Sequence, residues 1–301
     1  MEAIYIDNVT VLGTGNLGSQ IAYQTAYCGF EVIAYDINDQ ILETARKRFK
    51  ELAARYEQEV EEASDGRARA ALARISYSST LADAVRDADL VIESVPELLD
   101  VKRELYAKIG PLAPAKTIFA TNSSTLLPSD LAEATGRPER FLALHFANDI
   151  WIYNIAEIMG HSRTDPAIYD TVVDFARRIG MEPIKIHKEK AGYVQNSLLV
   201  PFLEAAQALV VNGIADPETI DKTWRIATGA PKGPLQMLDI IGLTTAYHIA
   251  ASGDEQARAN ARYLKEHYID LGKLGRASGE GFYKYETAPA QSSRSQVTAS
   301  A

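Results

Sequence analysis

The chain has 301 residues, 47% hydrophobic, 24% charged and 8% aromatic, which is the composition of a folded globular protein and not of a disordered, collagen-like or membrane-spanning one. At this length one core is near its practical limit, so two domains are expected. The 40 acidic against 31 basic residues leave a net charge of −9, which argues against a nucleic-acid binder that neutralises many phosphates; an anionic ligand must be held by local donors.

The start, Met1–Val9, has no charged stretch leading into a long apolar one, and nowhere do about 18 apolar residues run together. A cytosolic protein with no membrane contact is expected. Val9–Leu12 reads as a strand and runs into Gly13-Thr14-Gly15-Asn16-Leu17-Gly18, a G-x-G-x-x-G pattern that opens the helical pattern Gly18–Cys28. In that setting Gly13 permits a tight turn, Gly15 lets the backbone approach a pyrophosphate, and Gly18 lets the helix pack close to the strand. The helix start at Asn16 and Leu17 supplies free N–H groups and a positive dipole end, so a diphosphate can be bound without a basic protein. The next strand, Val32–Tyr35, ends in Asp36, whose carboxylate suits a ribose 2′-hydroxyl and would repel a 2′-phosphate. No Arg or Lys follows until Arg46, so NAD is expected over NADP. The competing reading is a glycine turn followed by an ordinary exposed aspartate.

The only cysteine, Cys28, can form neither an internal disulfide nor a multi-cysteine metal cluster and reads as a small buried hydrophobe. Gln40–Glu57 reads as a helix and the charged Glu57–Arg69 as the exposed part of a helical hairpin. Strand patterns follow at Leu90–Ser94, Thr117–Thr121 and Phe141–His145, with a helix at Val101–Ile109 between the first two. This alternation predicts an α/β domain, a Rossmann-type doubly wound parallel sheet covered on both faces. Asp165-Pro166 and Asp216-Pro217 each place a capping Asp before a Pro in a helix's first turn. Beyond Pro183–Ile186 the pattern becomes helical, and Leu198–Val210 carries an apolar face so wide that it must be covered on several sides, with Pro201 kinking or breaking the helix. The expected division is an NAD-binding domain at 1–187, an all-helical second domain at 188–286 and a disordered tail at 287–301.

From about Asp7 to Tyr285 the chain resembles the L-3-hydroxyacyl-CoA dehydrogenase family, in its 3-hydroxybutyryl-CoA dehydrogenase-like form. The resemblance rests on Gly13–Gly18, Val91-Ile92-Glu93-Ser94-Val95-Pro96-Glu97 with Lys102, Thr121-Asn122-Ser123-Ser124, His145-Phe146-Ala147-Asn148, Glu157, Gly192-Tyr193-Val194-Gln195-Asn196, Gly229–Pro234 and Ser278–Tyr283. It implies a homodimer through the helical domain and reversible NAD-linked oxidation of a 3-hydroxyacyl thioester. By position it implies His145 as general base, Glu157 as its partner, and Ser124 and Asn196 around the reacting oxygen. On the cofactor it implies Asp36 at the adenosine ribose and Glu97, Lys102 and Asn148 along the nicotinamide half.

Read as chemistry, the set is coherent. Oxidising a secondary alcohol needs the hydroxyl proton removed as hydride leaves, and an imidazole suits that task. His145 ends an apolar run, so a strand would deliver it to the carboxyl edge of the sheet, where ligands bind in open α/β folds. Glu157, twelve residues on, closes the short apolar run Ile155-Ala156 and could fix the imidazole tautomer. Ser124 and Asn196 could donate to the substrate oxygen, or could be a turn residue and a helix cap. Glu93 reads as a strand-end residue, and His161, His187, His248 and His267 as surface or packing residues.

Departures from the family bear on the substrate. Where the family has a Ser and a Lys that contact coenzyme A, this chain has Leu52 and Glu59; its Asn-Pro after the histidine is Asn148-Asp149 here, and a cofactor-contacting Lys is Ala277. Trp151 and Tyr153 are either core or pocket lining. The expected activity is oxidation of a short-chain L-3-hydroxyacyl-CoA. The alternatives are oxidation of a free 3-hydroxy acid, of the L-gulonate or L-carnitine kind, and a non-catalytic NAD-binding protein.

Overall fold

The computed structural model describes residues 5–63 and 65–285; the tail expected at 287–301, and residue 286 with it, lie outside the described residues. Strands β1 (Asn8–Leu12), β2 (Glu31–Tyr35), β3 (Ile75–Ser78), β4 (Leu90–Glu93), β5 (Ile118–Thr121), β6 (Phe141–Phe146), β7 (Ile155–Met159) and β8 (Glu182–Ile186) form one sheet in the order β3-β2-β1-β4-β5-β6-β7-β8. The unbroken apolar runs follow from burial on both faces. Successive strand residues point to opposite sides, so Leu90, Ile92, Ile118, Ala120, Leu142 and Leu144 enter one core layer while Val91, Phe119 and Phe141 enter the other.

The helices of this part are α1 (Asn16–Tyr27), α2 (Asp39–Glu59), α3 (Arg67–Ala71), α4 (Leu81–Val85), α5 (Leu99–Ile109), α6 (Pro128–Leu131) and α7 (Pro166–Arg178). As the sequence predicts, Asp165 caps α7, accepting from Ala167 N at 2.8 Å. Cys28 lies at the end of α1, half-buried, and burial pushes its thiol up to about 11.

Two features depart from expectation. The sheet is not wholly parallel: β7 runs antiparallel to β6, and β8 is parallel to β7. The connection of residues 147–154 is too short for the helical crossover that a parallel pair requires. The strand β3 was not apparent in the sequence because only Ile75 of its four residues is buried. It is one of the sheet's two edge strands.

The chain divides into two compact units, the first ending at Val194 and the second beginning at Gln195. The first thus extends beyond the expected boundary at Lys188. Tyr193, only 1% exposed, packs with Ala143 and Met159 of the sheet. In the second unit α8 (Gln195–Val211), α9 (Pro217–Thr228), α10 (Pro234–Ile241), α11 (Leu243–Ala251) and α12 (Glu255–His267) enclose Leu203, Leu235, Leu238, Leu243 and Leu264. Pro201 lies inside α8, which continues through it unbroken. Asp239, almost fully buried, accepts from the Phe282 and Tyr283 N–H groups at 2.8 and 2.9 Å, and a Cβ on Gly281 would meet its carboxylate at 2.1 Å. Ser278–Tyr283 is therefore a folding motif, pinned by a buried carboxylate. Among the described residues no helix is long and apolar enough to cross a membrane.

Candidate active site

The turn between β1 and α1 is built from backbone and empty space. Gly13 has φ +97, and a Cβ there would lie 2.6 Å from Ser94 O. On Gly18 it would lie 2.0 Å from Gly13 O, so both glycines are needed by the protein itself. Around a Cβ on Gly15, by contrast, nothing lies within 4 Å. This glycine caps α1 without a side-chain bond, which leaves room and N–H donors in front of Asn16 and Leu17. The cradle fits a dinucleotide pyrophosphate.

Asp36, at the end of β2, takes up its own share of the turn. Its Oδ2 accepts from Thr14 N and Thr14 Oγ1 at 2.8 and 2.7 Å, and its Oδ1 from Ile37 N at 2.9 Å. The carboxylate expected at the ribose thus also braces the glycine loop. Asn16 Nδ2 donates to Asn148 Oδ1 at 3.0 Å, which ties this turn to the loop after β6.

The antiparallel register of β6 and β7 sets His145 directly opposite Glu157, and opposed residues present their side chains on the same face. Glu157 Oε2 lies 3.0 Å from His145 Nδ1, with exposures of 1% and 5%. A carboxylate only accepts, so Nδ1 carries the hydrogen, and in the neutral imidazole Nε2 is then the nitrogen with the lone pair. Nε2 faces Ser124 Oγ at 3.0 Å, and the remaining Glu157 oxygen accepts from Val194 N at 2.9 Å. Ser124, His145 and Glu157 are therefore brought together in the first unit. Asn196 belongs to the second unit, in the first turn of α8.

Beside this triad lies a second charged group. Glu97 accepts from Ser123 Oγ and from Thr125 N and Oγ1 at 2.9 and 2.8 Å, and lies 3.2 Å from Lys102 Nζ. Burial opposes its ionisation, but these hydrogen bonds and the ammonium outweigh it and hold the carboxyl down to about 2. Lys102, expected to line the nicotinamide half, is 1% exposed and pairs with fully buried Glu93 at 2.6 Å. Its ammonium is held inside the fold. Glu93 also accepts from Thr121 Oγ1 at 2.8 Å, so it is more than the strand-end residue the sequence suggests. The available signal was a charge closing a fully apolar strand, which demands a buried partner.

Tyr193 is a residue that the sequence presents only as part of a motif, with no role assigned to it. Its ring stacks on the His145 imidazole with centroids 4.4 Å apart and planes 14° from parallel.

The loop after β6 bears on the departures. Asp149 has φ +55, a conformation closed to the proline of the family's Asn-Pro. Its N–H donates to Gln20 Oε1 at 2.7 Å, and its carboxylate accepts from Arg55 at 3.2 Å. Arg55 also pairs with Glu59 at 2.9 Å and stacks over Trp151, whose Nε1 donates to Glu59 Oε2 at 2.8 Å. Leu52 is buried, whereas Tyr153 is 53% exposed.

The 3-hydroxyacyl-CoA dehydrogenase NAD-binding domain matches residues 8–190, and the C-terminal domain of the same family matches residues 192–285. The chain belongs to the 3-hydroxyacyl-CoA dehydrogenase family. It is 33% identical to a probable 3-hydroxybutyryl-CoA dehydrogenase of Bacillus subtilis, over 93% of this chain and 98% of that one. It is 34% identical to the mitochondrial hydroxyacyl-coenzyme A dehydrogenase of Sus scrofa, over 95% and 93%. Among solved structures, a diketoreductase described in the catalysis of dicarbonyl compounds shares 66% identity with a TM-score of 0.91, covering 93% of this chain and 99% of its own. A 3-hydroxyacyl-CoA dehydrogenase family member is an oxidoreductase, and the domain matched over residues 8–190 is an NAD-binding one.

Proposed function

We propose that the protein interconverts a short-chain L-3-hydroxyacyl-CoA and its 3-oxo form with NAD. The observation that carries this reading is the β6–β7 register, which holds Glu157 on one imidazole nitrogen and leaves the other against Ser124. NAD, when bound at the glycine turn, supplies the hydride acceptor. In the oxidative direction His145 Nε2 takes the 3-hydroxyl proton, and Glu157 stabilises the imidazolium that results. The Ser124 hydroxyl, already within reach of Nε2, turns its hydrogen to the substrate oxygen as that oxygen becomes a carbonyl; the same task is proposed for Asn196 on the resemblance of its motif alone. Glu97, Lys102 and Asn148 serve the nicotinamide half, Lys102 acting through Glu97. Homodimerisation is supported by large apolar side chains that the second unit leaves exposed, Leu198 at 70%, Ile214 at 70% and Ile226 at 74%. Sedimentation should show a dimer; a stable monomer would remove that claim. A cytosolic site of action suits the single cysteine.

A second reading, a substrate not carried on coenzyme A, stands behind the first, and two observations make it worth testing. Glu59 stands where the family has a Lys, locked between Arg55 and Trp151, and the diketoreductase is similar over nearly the whole chain. A panel of acetoacetyl-CoA, a simple 3-oxo ester and free acetoacetate, followed by NADH absorbance, separates the two. The first reading requires kcat/KM for the thioester to exceed the others by at least about tenfold, a difference within reach of ordinary binding contacts. The reverse order would install the second.

A further inference from the structure

Residues 190–194, which close the first unit, touch every member of the group around His145. The Gly192 N–H donates to Ser124 O at 3.1 Å. The Tyr193 hydroxyl donates to Ser123 O at 2.7 Å while its ring covers the imidazole at 4.4 Å. The Val194 N–H donates to Glu157 Oε1 at 2.9 Å. The turn that achieves this uses two successive left-handed residues, Gly192 at φ +79 and Tyr193 at φ +51. A side-chain-bearing residue holds such a conformation only where its surroundings over-determine it.

We infer that Tyr193 is a positioning residue of the active site, whose ring sets the plane of the His145 imidazole while its hydroxyl anchors the peptide that carries Ser124. Packing alone would require neither the hydroxyl on a carbonyl next to Ser124 nor the left-handed backbone. Burial, with the Glu97, Glu157 and Glu93 carboxylates around it, holds the phenol well above its ordinary value. It therefore stays protonated and a donor to Ser123 O. Glu97 grips the same Ser123–Thr125 loop from the side chains of its two flanking residues. Ser124 Oγ is thereby fixed relative to Nε2 by one carboxylate and one phenol, neither of which needs to touch the substrate. A phenylalanine at 193 would keep the plate and lose the anchor.

The inference rests on the proposed reaction, and the test separates the two through Tyr193→Phe and Tyr193→Leu. Tyr193→Phe should lower kcat about tenfold with KM and the NADH dissociation constant within about twofold, because misplacing a reacting group costs rate and leaves the cofactor's own contacts alone. Tyr193→Leu should lower kcat about a hundredfold. It should also speed diethylpyrocarbonate labelling of His145, read on the peptide by mass spectrometry, at least fivefold, whereas Tyr193→Phe leaves labelling at the wild-type rate. A kcat for Tyr193→Phe within twofold of wild type, a parallel loss of NADH affinity in that variant, or unchanged labelling in Tyr193→Leu overturns the assignment. If the wild type turns over no member of the substrate panel, the proposed reaction falls, and the labelling rates still decide whether the ring covers the imidazole.

Discussion

The glycine turn and the His145 group sit at the carboxyl ends of strands of one sheet, yet they are built in opposite ways. The turn is a backbone object that depends on atoms being absent: a Cβ on Gly18 would lie 2.0 Å from Gly13 O, and one on Gly15 would meet no protein atom within 4 Å. The histidine group is a side-chain object that depends on atoms being present. It takes Ser124 from the end of β5, His145 from β6, Glu157 from β7 and Tyr193 from the segment after β8. The lesson is that the turn fails when bulk is added, whereas the histidine group fails when a single hydrogen-bonding atom is exchanged with shape preserved.

The sharpest way to break the pair apart is His145→Gln. Removing the base should lower turnover by about 10²- to 10⁴-fold, while calorimetry finds NAD affinity unchanged; retained activity would remove the assigned base. The complementary experiment adds bulk to the turn. Gly15→Val should weaken NAD binding at least about tenfold with no loss of melting temperature, because its new side chain meets only the space the pyrophosphate needs. Gly18→Val should lower the melting temperature by several degrees, because it meets the protein first. Equal melting temperatures for the two variants would contradict the distinction.

The smallest effect concerns Glu97, which borders the histidine group but is itself 37% exposed and partly screened. Its carboxyl is held down to about 2 from an ordinary 4.5. A folded-state value below the unfolded one means that its stabilisation is complete above 4.5 and drains away as the pH falls towards 2. The melting-temperature gap between wild type and Glu97→Gln should therefore be widest above pH 4.5 and narrow below it. A gap that does not change with pH would show that the carboxylate's charge contributes nothing to folding.

Legibility in the sequence followed contact range. Gly13–Gly18 and the capping Asp165 and Asp216 act within one turn of chain, so spacing alone revealed them. The pairing of His145 with Glu157 was available only as a resemblance, because two short apolar runs do not say whether they lie parallel or antiparallel. The burial of Lys102 was hidden because its partner Glu93 is on a strand and the lysine on a helix. Tyr193 was hidden because a tyrosine after a glycine announces a turn and gives no sign of what its ring will cover.

The amino-acid sequence alone determined most of the order of strands and helices in the first half, β3 excepted, the nucleotide turn and the helical second half, since each follows from side-chain periodicity or from the room around a single residue. Tertiary structure decided that the chain doubles back after β6, that the lysine withdraws into the sheet and that residues 190–194 return to grip Ser124, His145 and Glu157. Those outcomes depend on register and on the conformation of short loops such as the one holding Asp149 at φ +55. They are settled only when distant segments compete for the same buried hydrogen bonds.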